Sequence, residues 1–199
     1  MAIIESQKLS HWNFFLAVEE DLLQLSRFIE FTTDNFETHS LELARILFAA
    51  SAEVDVVTKQ LCEQHVPTRR ASKIIDYVNI LAEKLPILGE ARVSIPRYGL
   101  DLRPWINLQR RSVPDWWRAY NEVKHQRHEK YKSANLQNAL NAVASLFLIA
   151  LFHYSDEATA GQLRPNPVLF RLGEPLGDDT LFWDSSKGIV YRLNKDLIL

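Results

Sequence analysis

Apolar residues recur at three- and four-residue steps through most of the first 154 positions, a spacing that predicts helices. Residues 12 to 31, "WNFFLAVEEDLLQLSRFIEF", form the first amphipathic stretch. A longer one begins at Asp34 and runs to about His65. In it Leu43, Ile46, Leu47, Ala50, Val54, Val57 and Leu61 make one continuous stripe, which Pro67 stops. A third runs from Ser72 to Lys84, ended by Pro86. Pro114 suits the first position of a fourth helix, with Ser112 as its cap, reaching Tyr131. Asn135 is placed to cap a fifth, which carries "ALNAVASLFLIALF" at 139–152 and reaches Tyr154. Asn141 and Ser145 interrupt that run, and it falls short of the ~20 apolar residues a bilayer span needs. It reads as a buried core helix, with no membrane partner expected.

Elsewhere the pattern changes twice. "LGEARVSIPRYGLDLRPW" is rich in Gly and Pro and alternates around Val93 and Ile95, predicting an extended arm or irregular hairpin. Beyond Pro165, "VLFRLGE", "DTLFW" and "GIVYRLN" predict short strands, with "DSSKG" as a turn between the last two. The expected fold class is mainly α. Residues 1–160 form an antiparallel helical bundle, and residues 161–199 a small β-rich C-terminal appendage.

Composition narrows the class. With 47% hydrophobic and 24% charged residues, the 199-residue chain can bury a core without disulfides or metals. Cys62 is its one cysteine, so no internal disulfide and no CxxC metal pattern exists. "MAIIESQKLSHWN" lacks the layout of a signal peptide, and a cytoplasmic location is expected. Charge is uneven. Between Arg103 and Lys132, eight Lys and Arg face three Asp and Glu, on a chain whose net charge is −2. A local basic segment on an acidic protein suggests a local anionic ligand.

The segment at its centre is "WWRAYNEVKHQRHEKY", residues 116–131. Residues seven apart on a helix differ by about 20° around the axis, so Arg118 and His125 point the same way. Asn121 and Glu122 fall beside them, while Trp116, Tyr120, Val123 and Tyr131 take the opposite side. Those residue types suit RNA cleavage. Histidine titrates near neutrality and can move a proton to or from the 2′-hydroxyl or the leaving oxygen. Arginine can grip a phosphate at two points and steady the charge that builds on it. Asn121 can orient the imidazole or a phosphate oxygen. The plainer reading is a solvated face on which Arg118 pairs with Glu122, four residues on.

An Arg and a His on one late helix of a bundle, as in "RAYNEVKH", resembles the HEPN superfamily. The likeness covers residues 12 to 154 and includes the long acidic second helix and the apolar closing helix. It implies a metal-independent endoribonuclease of toxin or antiviral type, in which two motif helices meet across a homodimer. The 2′-hydroxyl then attacks the phosphate and leaves a cyclic phosphate end. Carried over, Arg118 is the phosphate ligand and His125 the acid/base group, with Asn121 between them. Lys124, Arg127, His128 and Lys130 would hold the RNA backbone. One departure stands: Tyr120 precedes Asn121, where family members often carry the Arg. The alternative is a non-catalytic dimeric module of the same type, binding nucleic acid or a protein partner such as an antitoxin.

Other residues carry less. His125 and His128 form an HxxH pair, but a metal site needs a third ligand, and neither metal nor cofactor is expected. Glu53 lies at the edge of the second helix's stripe and is expected to pair with a cation of the motif helix, supporting it together with Glu122. Trp116 reads as core before it reads as a stacking platform.

Overall fold

A computed structural model describes residues 9–176, 181–184 and 188–191. Six α-helices occur among them: α1 (Ser10–Leu25), α2 (Leu41–His65), α3 (Ile74–Lys84), α4 (Asp115–Lys130), α5 (Leu136–His153) and the short α6 (Ser155–Thr159). The strands are β1 (Val93–Ile95), β2 (Leu100–Leu102), β3 (Arg171–Leu172), β4 (Leu181–Asp184) and β5 (Gly188–Tyr191). The mainly helical class expected from the spacing is what the chain adopts.

The core is built around α5. From Ala142 to Phe152 every residue of this helix is buried, so its apolar character goes to packing. Contrary to the reading of the 139–152 run as too short, the whole helix is long and apolar enough to cross a membrane, yet 78% of it is buried inside the protein. Asn135 caps it as expected, its Oδ1 accepting from the Asn138 amide at 3.0 Å. The α2 stripe packs on α5, with Leu43, Ile46, Leu47, Ala50, Val54 and Val57 fully enclosed. Each such Leu or Ile contributes about 1.5–3 kcal/mol relative to exposure.

Helix boundaries differ most from the spacing at three places. The first helix ends at Leu25 rather than Phe31, because Ser26 turns its hydroxyl to the Leu23 carbonyl and the chain tightens there. The turn lets Phe31 enter the core against Tyr98, with ring centroids 5.0 Å apart. The second helix starts at Leu41, not Asp34, because Ser40 is its cap and accepts from the Leu43 amide at 3.1 Å. At α4, Pro114 occupies the cap position itself, and Ser112 donates to the Asn107 carbonyl instead of capping.

The predicted arm is β1 and β2, antiparallel with Val93 opposite Leu102 and Ile95 opposite Leu100. Gly99 closes their turn at φ 62°, a region that suits glycine. The tail is a finding of its own. Its first strand, β3, does not join the later hairpin but pairs with β1, giving the order β2-β1-β3. Leu163, Leu169, Phe170, Leu172 and Leu176 are buried in the helical core. Glu19 of α1 fastens this segment, accepting from the backbone amides of Val168, Leu169 and Phe170 at 3.0, 2.8 and 3.0 Å. The last two expected strands exist as β4 and β5, paired antiparallel from Leu181–Tyr191 to Asp184–Gly188. The middle of the expected DSSKG turn, and residues 179–180 and 192–194 of the two expected strands, lie outside the described residues.

Candidate functional site

Helix α4 is anchored by its aromatic side. Trp116 is 2% exposed, donates its indole N–H to the Pro104 carbonyl at 2.8 Å, and meets Trp105 edge-on. Trp117, Tyr120 and Val123 are buried beside it, and Tyr120 packs edge-on against Phe48 of α2. With that side fixed, the opposite side faces solvent. Arg118 and His125 are both exposed, and Asn121 is half-buried between them.

The helix is continuous only as far as His125. Gln126 has φ −134° and ψ 42°, which breaks the helical path. Every residue from Lys124 to Lys130 is exposed, so no apolar contact ties this stretch to the core. The angular relation between Arg118 and His125 therefore holds, whereas ideal helix geometry does not carry past the break to Arg127, His128 and Lys130. Beyond the break the chain turns so that Tyr131 packs against the core, near the His39 ring, before α5 begins.

Partners on this face are sparse. Arg118 reaches Asp115 at 3.4 Å, a contact 55% and 73% exposed on its two sides, so water screens it and the guanidinium stays available. The pairing of Arg118 with Glu122 that belonged to the plainer reading is replaced by this one. Glu122 instead accepts from the Ser133 hydroxyl at 2.8 Å, which ties α4 to the turn that leads into α5. Lys124 lies over the Tyr120 ring at 5.4 Å and Arg127 over the Tyr131 ring at 5.3 Å. His128 is 3.4 Å from Glu129. His125 makes no hydrogen bond among the described residues. Between Lys124 and Lys132, four Lys and Arg face one Glu, so the surface past the break is positive.

Glu53 is placed elsewhere than expected. Its Oε1 lies 2.5 Å from Nδ1 of His11 in α1, not beside a cation of α4. The partner is an imidazole of α1, and nothing in the α2 stripe shows which neighbouring helix supplies it. Around this pair sit Gln60, 3.1 Å from His11 Nε2, and His153, whose ring is 5.3 Å from that of His11. Burial, followed by the charge of His11, pushes the His153 imidazole down to about 4, and its Nδ1 is buried without a partner among the described residues. His11 and His153 carried no motif signal, since neither has a ligand-spaced neighbour in sequence. Burial pushes the Cys62 thiol up to about 12, which makes it inert.

Among the described residues, no group of three or more His, Cys, Asp or Glu side chains is placed to hold a metal ion. A cleft of about 280 Å³ opens between β2, the loop after it, and the starts of α4 and α5. Asp115, the partner of Arg118, lies on its wall. In comparisons with known proteins the chain matches no family model, no curated protein and no solved structure.

Proposed function

We propose that the protein is a metal-independent endoribonuclease of HEPN type, acting as a cytoplasmic homodimer in a toxin or phage-defence role. One observation carries this reading. Arg118 and His125 stand exposed on one side of an unbroken helical segment, at the edge of a positive surface. In the reaction, the RNA 2′-hydroxyl attacks the adjacent phosphorus and the 5′-oxygen of the next nucleotide leaves. Arg118 steadies the charge on the phosphate oxygens, and His125 moves the proton between the attacking and leaving oxygens. The products are a 2′,3′-cyclic phosphate and a 5′-hydroxyl, and the atoms balance without a metal.

Dimerisation completes the geometry. Seven residues separate Arg118 from His125 by about 10 Å along the helix axis, and a second copy can shorten the gap between the two groups. Two α4 helices crossing antiparallel about a two-fold near Asn121 and Glu122 bring Arg118 of one copy opposite His125 of the other. The test is incubation of varied RNAs with the purified protein in excess EDTA, reading the ends of the products. Cleavage giving cyclic phosphates is expected; intact RNA across all substrates rejects the reading.

A second reading is a non-catalytic module of the same type that binds nucleic acid or a protein partner. The unpartnered imidazole of His125 favours it, because a catalytic histidine is normally oriented through its other ring nitrogen. RNA binding that weakens steeply with salt, without cleavage, is its signature.

A further inference from the structure

The cleft beside α4 is chemically unlike the positive surface that adjoins it. Its wall carries two carboxylates, Asp101 and Asp115, and one guanidinium, Arg103, so it does not attract a phosphate. What it offers is uncommitted hydrogen-bonding capacity. The side-chain amides of Asn107 and Gln137 make no hydrogen bond among the described residues. Asn141 donates to the Gln137 carbonyl at 2.8 Å, which leaves its Oδ1 as a free acceptor. The open amides of Asn107, Gln137 and Asn141 can bond a ligand in the cleft without giving up a bond within the protein.

Size and shape narrow the ligand. At about 280 Å³ the cleft lies just under the range of roughly 300–1,000 Å³ that drug-sized molecules fill. That admits one ring system with a sugar and no more. Phe36 is half-buried and contributes aromatic wall, which suits a flat ring. Ionised carboxylates are acceptors alone, while carboxamides and guanidinium supply donors. The ligand must therefore present both amine hydrogens and ring acceptors on its edge.

We propose that this cleft binds a single nucleobase bearing an exocyclic amine, with its ribose at the mouth. The phosphate attached to that nucleotide then leaves toward Arg118, whose partner Asp115 forms part of the wall. Only this last placement rests on the ribonuclease reading; the binding of a free nucleoside does not.

The test is a titration of the full chain, ¹⁵N-labelled, with adenosine, cytidine, uridine and ribose 5-phosphate. The signals followed are the Trp116 indole N–H and the side-chain amides of Asn107 and Gln137. Adenosine and cytidine should shift these signals saturably, and uridine and ribose 5-phosphate much less. Asn107→Ala and Gln137→Ala, each removing an amide bonded to nothing in the core, should weaken adenosine binding about fivefold. No saturable shift, shifts unchanged in both variants, or equal binding of uridine or ribose 5-phosphate would each overturn the proposal. Nucleoside binding in a protein that cuts no RNA rejects the ribonuclease reading alone. RNA cleavage without nucleoside binding rejects the cleft alone.

Discussion

Glu53 Oε1 lies 2.5 Å from Nδ1 of His11, which joins the first turn of α1 to the middle of α2 across 42 residues of sequence. The two side chains are 14% and 17% exposed, so water screens the pair only in part. Removing either partner strands the other in a half-dry site. In urea denaturation, His11→Ala and Glu53→Ala should each cost about 1–3 kcal/mol. The double variant should cost clearly less than the sum of the two, since both remove one shared bond. Strictly additive losses would show that the bond contributes nothing.

His153, whose ring stands 5.3 Å from that of His11, makes this corner sensitive to acid. Its folded pKa of about 4 lies below the ordinary histidine value, so the unfolded chain binds a proton more readily than the folded one. Stability is then fully present above about pH 6.5 and is lost as pH falls toward 4. At pH 5 the loss reaches about 2 kcal/mol at most, because the site is only partly buried. His153→Phe keeps a ring in place and removes the titration. It should flatten the stability profile between pH 6.5 and 4.5; a slope equal to the parent's would assign the acid loss to other groups.

What could be read in the sequence follows the range of the interactions. The α5 core, the Asn135 cap and the stop at Pro67 come from local patterns, and each is where the pattern places it. So does the shared side of Arg118 and His125, since it needs only helix geometry over seven residues. Contacts between distant segments were not legible. The pairing of β1 with β3, the partner of Glu53 and the cleft wall from Asp101 to Asn141 depend on which segments fold together. The break at Gln126 was hidden for another reason. No Gly or Pro marks it, and it arises because the stretch from Lys124 to Lys130 has no buried residue to hold it.

Glu19 should prove the clasp of the β3 segment. Its carboxylate is 2% exposed and accepts three backbone amides, with Arg171 close enough to favour the charge. Burial outweighs these and raises its pKa. Glu19→Gln turns an amide N–H₂ toward at least one of those donors, leaving that N–H unpaired. A loss of about 1–3 kcal/mol is expected, with faster hydrogen exchange concentrated at Val168, Leu169 and Phe170. Unchanged exchange at these three amides would show that the segment is held by its apolar contacts alone.

The origin of the two halves of the proposed active site can be decided by mixing inactive variants. Arg118→Ala should lower both RNA affinity and turnover, because one cation serves binding and the transition state. His125→Ala should lower turnover by roughly 10² to 10⁴, with a much smaller effect on affinity while Lys124, Arg127 and Lys130 remain. If Arg118 of one copy works with His125 of the other, each pure variant dimer has two broken sites. A mixed dimer differs: one site has lost both groups, and the other keeps both. Unfolding and refolding the two variants together gives about half mixed dimers, each with one intact site of two, so about a quarter of the parent activity should return. No recovery, while mixed dimers are shown to form, would place both groups within one chain and remove the reason for catalysis to need a dimer.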